Sequence, residues 1–158
     1  MLLRHHDVVA VRDPMQHTPL DESRQLGAWM GIYDGSVPGT HGSQSIHPRA
    51  LTRREADVIA ALLATGADAS YAAQIPHARV VATWGPGSPS VDLTVLPGAT
   101  AGPASGIVAE AAVTDGDGAP IGELILWARD GLLSALEYAW YTDERPRCLP
   151  DLSWITTH

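Results

Sequence analysis

Residues 121–141 read IGELILWARDGLLSALEYAWY. Two largely apolar runs flank Asp130-Gly131, and Asp-Gly between such runs is the strongest short-range hairpin signal. A two-residue turn sets Arg129 opposite Leu132. The pairs then run Ala128 with Leu133, Trp127 with Ser134, Leu126 with Ala135, Ile125 with Leu136, Leu124 with Glu137 and Glu123 with Tyr138. In this register one face carries Leu124, Leu126, Ala128, Leu133, Ala135, Glu137 and Ala139. The other carries Glu123, Ile125, Trp127, Ser134, Leu136, Tyr138 and Trp140. A slip of one residue between the strands regroups both faces.

The same period of two extends upstream. Ala78 to Trp84 and Ser90 to Leu96 flank a Gly/Pro turn at 85–89, and Gly106 to Thr114 precedes Asp115-Gly116-Asp117-Gly118 and Ile121. The expectation is an antiparallel sheet of about five strands in a meander. Before it, Thr52-Arg53-Arg54-Glu55 has the form of a capping box, and Val58, Ile59, Leu62 and Leu63 follow before Gly66. This predicts a helix over 53–65. Asp68 can cap a second short helix ending before Pro76. The fold class is therefore α+β, with a capped helix packed on one face of the sheet through Ala56, Ala60 and Ala64.

Residues 1–50 read as an N-terminal segment that adds to the other face, and 51–158 as the core of one globular domain. Val8 to Val11 suits a short strand. Leu20 to Tyr33 suits either a weak helix or, through Ala28 to Tyr33, a strand, because Gly27 and Gly31 weaken the helix. Residues 34–49 are rich in Gly, Ser, Pro, Thr and His and read as a loop.

The chain has 158 residues, one domain's length, with 45% hydrophobic and 18% charged residues, so it is globular rather than disordered. Ten Lys and Arg against 18 Asp and Glu give a net charge of -8. That balance argues against a nucleic-acid partner and against anionic membranes. The first residues lack the apolar run of a secretory signal, and no stretch reaches membrane-span length. The expected location is the cytoplasm. There is no Phe, yet there are five Trp and four Tyr.

Chemistry concentrates on the hairpin. A solvated face does not ordinarily carry Trp127, Tyr138, Trp140, Ile125 and Leu136 together, so this face is expected to meet a small apolar or aromatic molecule or another subunit. Glu137 lies among aliphatic side chains in this register. An unpartnered buried carboxylate becomes a proton donor or general base. The commoner alternative is a structural glutamate that pairs with Arg53 or Arg54 or hydrogen-bonds to a helix N-terminus. Glu110, between Ala109 and Ala111, is the second acid/base candidate, and Glu123 is a rim residue across from Tyr138.

The histidines do not form a metal motif. His5 and His6 are adjacent, and His41 and His47 lie in the loop. Ordinary polar histidines explain them better than a zinc or iron site, and no cofactor is expected. Cys148 is the only cysteine, which excludes an internal disulfide; without a base held beside it, an incidental thiol is the ordinary case. Phosphate-cradle and nucleophile-elbow patterns are absent.

Residues Leu51-Thr52-x-x-Glu55 with Leu62-Leu63, then Gln74, Ser90-Val91-Asp92-Leu93, the run Asp130 to Tyr138, Asp143-Glu144 and Leu149-Pro150 carry a resemblance. Over about residues 51–150 the chain resembles a group of small, uncharacterised actinobacterial α+β proteins. The resemblance implies the fold class and supplies no activity. Two functions of different class follow from the residues. One is a cofactor-independent isomerase, cyclase or hydrolase, with Glu137 or Glu110 as acid/base, a His from the N-terminal loop assisting, and Trp127, Tyr138, Trp140 and Glu123 lining its pocket. The other is a non-catalytic binding or assembly module whose aromatic face is a protein interface, as in a homo-oligomer.

Overall fold

A computed structural model describes residues 42–156. Its strands are β1 (Gln44–Ala50), β2 (Ala78–Thr83), β3 (Val91–Val95), β4 (Gly106–Thr114), β5 (Pro120–Arg129), β6 (Leu132–Trp140) and β7 (Ile155–Thr156). Its helices are α1 (Arg53–Leu63) and α2 (Ala69–Gln74), with 3-10 turns at Ile75–His77 and Leu152–Trp154. The class is α+β. The readings of Val8–Val11 and Leu20–Tyr33, the docking of the N-terminal segment, and His5, His6 and His41 lie outside the described residues.

All seven strands form one antiparallel sheet in the order β1-β2-β3-β6-β5-β4-β7. This corrects the simple five-stranded meander. β6 inserts between β3 and β5, through pairs Val91–Leu136 and Asp92–Ala135. Part of the stretch read as a loop over 34–49 is strand β1, paired with β2. Its Ile46 is packed against the core, and its Pro48 is tolerated because an edge strand can forgo a ladder donor.

α1 starts where its cap demands. The Glu55 N–H donates to Thr52 Oγ1 at 3.2 Å, and the Thr52 N–H donates to Glu55 Oε2 at 2.7 Å. Arg49 of β1 forks onto the same carboxylate, 2.8 Å to each oxygen. That pair ties the end of β1 to the start of α1. The helix faces the sheet through Val58, Ile59, Leu62 and Leu63, all buried. The alanine stripe is not the contact: Ala60 and Ala64 are exposed and Ala56 is half-buried. Larger aliphatic side chains remove more apolar surface from water than methyl groups do, and they set the helix's rotation.

The core lies between the helices and one face of the sheet. Val80, Val91, Leu93, Ala109, Ala111, Val113, Leu124, Leu126, Leu133, Leu136 and Tyr138 contribute to it from the strands, and Tyr71 from α2. Asp130 and Gly131 both have positive φ, 51° and 75°, as a tight hairpin turn of the type that matches strand twist requires.

Candidate functional site

The geometry of the β5–β6 hairpin decides which side chains meet. The turn pairs Arg129 with Leu132 and Ala128 with Leu133, but Trp127 then faces Ala135. Ser134 is the extra residue of a β-bulge. Beyond it every pair moves by one: Leu126 faces Leu136, Ile125 faces Glu137, Leu124 faces Tyr138 and Gly122 faces Trp140. The two faces are regrouped accordingly. Leu136 and Tyr138 turn into the core with Leu124 and Leu126, while Glu137 moves to the opposite face with Trp127.

The expected face holding Trp127, Tyr138 and Trp140 together is therefore corrected. The ring of Tyr138 lies over Gly122, where a Cβ would sit 2.7 Å from its Cε2. Trp127 is on the far side of the sheet, and its Nε1–H donates to Glu137 Oε2 at 3.0 Å. Glu137 is half-buried. Burial raises its carboxyl above the ordinary range, the Trp127 donor works against that rise, and the nearby Glu123 carboxylate adds to it. The expected structural partners Arg53 and Arg54 are engaged elsewhere, with Asp57 and Asp151 at 3.6 Å each.

Strand pairing places Glu110 beside Ile125 and Ala112 beside Glu123, so Glu110, Glu123 and Glu137 share the face of Trp127. Glu110 is exposed there, without the sheltered surroundings that an acid/base role uses. Glu123 Oε2 accepts a hydrogen bond from the Tyr141 hydroxyl at 3.3 Å. Asp92 joins the same face through its pairing with Ala135. It is buried, and it accepts from Trp84 Nε1 at 2.8 Å and from Ser43 Oγ at 3.1 Å. Those bonds pin the turn at 85–89 and the start of β1 to β3.

Tyr138 and Trp140 belong to a different place, an open groove of about 470 Å³. Ile121 and Arg54 line it together with the tail from Thr142 to Trp154. Trp140 and Trp154 are each 40% exposed, so their rings are presented to an incoming molecule. Burial, and after it the closeness of Cys148, raises the Tyr138 phenol. Arg145 stacks over Trp140, 5.6 Å from the ring centroid, and donates to the Trp84 carbonyl at 2.6 Å. A second hollow, about 640 Å³, lies between Pro86-Gly87 and Glu144–Arg147.

The sequence did not single out Arg147 or Trp154, and it weighed Arg54 only as a partner of Glu137 and Cys148 only as an incidental thiol. The available signal was the tail itself, where two arginines, a cysteine and a tryptophan fall within ten residues among prolines. Among the described residues no group of three or more His, Cys, Asp or Glu is arranged to hold a metal, and no helix is long and apolar enough to cross a membrane. No family model matches the chain, and no curated protein or solved structure matches it.

Proposed function

We propose that this protein is a binding module that takes a small molecule with a flat apolar part in the groove between Trp140, Trp154 and Tyr138. The observation that carries this reading is the meeting of two half-exposed indoles, Trp140 and Trp154, in one open hollow of about 470 Å³ that the buried Tyr138 also lines. That volume lies within the roughly 300–1,000 Å³ of small-molecule sites. Trp and Tyr offer a flat apolar body and a polar edge, which suits a ligand of mixed character. A protein interface spread over Trp127, Tyr138 and Trp140 is less well supported, because those rings lie on two sides of the sheet.

The test uses 2-(1-naphthyl)ethanol as a neutral probe, followed by the indole N–H signals of the five tryptophans in NMR. Saturable shifts at Trp140 and Trp154 that exceed those at Trp84 and Trp127 are expected. Unmoved Trp140 and Trp154 signals at millimolar probe overturn the reading.

A second reading keeps a catalytic role for Glu137 as a cofactor-independent acid/base. Its half-buried carboxyl and the single Trp127 donor favour it. The groove and this carboxylate are on opposite faces of the hairpin, which is why the binding reading stands first. In its hydrolase form, the wild type accelerates hydrolysis of 4-nitrophenyl acetate and Glu137→Gln does not. Equal rates in the two proteins remove Glu137 from that role.

A further inference from the structure

The cations around the groove are not equivalent. Arg54 is held by Asp151 at 3.6 Å. Arg145 is held by the Trp84 carbonyl and the Trp140 ring. Arg147 lines the groove and has no ion pair or hydrogen bond among the described residues. A guanidinium stays charged and offers a planar fork of donors that fits a carboxylate. The chain carries a net charge of -8, so an anion is repelled by most of its surface. Three of its ten basic residues nevertheless stand at this groove and its rim.

Resting on the binding reading above, we infer that the groove selects a planar aromatic monocarboxylate. The ring lies against Trp140 and Trp154, and the carboxylate is seated on the Arg147 guanidinium. One uncommitted arginine matches one negative charge; a phosphate dianion would leave a second charge uncompensated in an acidic protein. Glu144 also lines the groove and opposes the anion. It limits the affinity and directs the carboxylate toward Arg147.

The experiment compares 1-naphthylacetate with 2-(1-naphthyl)ethanol, which have nearly the same shape and differ in charge. Calorimetric titration of the wild type, Arg147→Gln and Glu144→Gln gives a ratio of the two affinities for each. In the wild type the acid binds about tenfold more tightly, the size of one charge-assisted contact. The ratio falls toward one in Arg147→Gln and rises in Glu144→Gln. It also shrinks with added salt, because the contact is at an open surface. If acid and alcohol bind the wild type equally, or if Arg147→Gln keeps the preference, the anion inference is overturned while the groove reading stands. If neither ligand moves Trp140 and Trp154, both fall.

Discussion

Glu137 shows how a single carboxylate records its surroundings. Three influences act on it, with burial the largest, then the Trp127 N–H and then the Glu123 charge, and the net result is a raised pKa. A group raised on folding binds its proton more tightly in the native state than in the unfolded chain. Its contribution to stability is therefore complete below the ordinary carboxylate range and is lost as pH rises through the raised value. Glu137→Gln removes that loss while keeping an oxygen to accept from Trp127. The variant is expected to gain on the wild type as pH rises above the ordinary carboxylate range, read as the difference in urea midpoints. Midpoints that run parallel over this window would show that Glu137 titrates as it does in the unfolded chain. The sequence marked Glu137 out because the unbulged register set it among aliphatic side chains, and the bulge removed that setting while leaving the carboxylate half-buried. Its cross-strand partner did depend on register: it changed from Leu124 to Ile125, which also put Trp127 on its face.

α1 is the element whose beginning is most heavily specified. The Glu55 carboxylate closes the capping box and receives both arms of Arg49. Burial opposes its ionisation, but Arg49 and the Thr52 N–H outweigh that, so its pKa is lowered. The stability it adds is present above the ordinary carboxylate range and is lost as pH falls through the lowered value. Glu55→Gln is expected to be destabilised near neutral pH and to approach the wild type as pH falls below the ordinary carboxylate range, read in urea midpoints. A gap that stays constant with pH would rule out the ionic contribution. Thr52→Ala removes one hydroxyl acceptor and is expected to cost about 1 kcal/mol at every pH. The capping residues are contiguous in sequence, which is why this helix start was legible there. The Ser134 bulge was not. Nothing in Leu133-Ser134-Ala135 distinguishes an extra residue from a paired one, and the choice is made by whether Leu136 and Tyr138 or Ala135 and Glu137 fill the core. The larger apolar side chains win because they bury more surface.

At the scale of the molecule, sheet order was the least legible property. Local pattern located β2 to β6 but could not place β6 beside β3, because that pairing joins residues more than forty apart. Distant segments are joined by particular polar side chains, and Gln74 is the chief of them. It is fully buried at the end of α2. Its Nε2 donates to the Thr100 carbonyl at 3.0 Å and to the Gly131 carbonyl at 2.8 Å, and its Oε1 accepts from the Leu133 N–H at 2.9 Å. One side chain thus fastens the short helix, the β3–β4 connection and the β5–β6 turn. Gln74→Ala leaves the buried Leu133 N–H without that partner and opens a small cavity, while the Gly131 carbonyl keeps the Gly102 N–H at 2.7 Å. An orphaned buried N–H costs about 1–3 kcal/mol and the cavity adds to it, so a loss of about 3 kcal/mol is expected. Tyr71→Phe is the matched comparison. Tyr71 bridges α2 to Ala104 through its hydroxyl, 2.8 Å to the carbonyl and 3.0 Å from the N–H. Its ring would remain to fill the core, so a smaller loss of about 1 kcal/mol is expected. Urea denaturation with an unchanged m-value separates the two. If Gln74→Ala is no more costly than Tyr71→Phe, water has replaced the amide, and the Gly102–Gly131 and Asp130–Ser105 hydrogen bonds hold the connection to the turn without it.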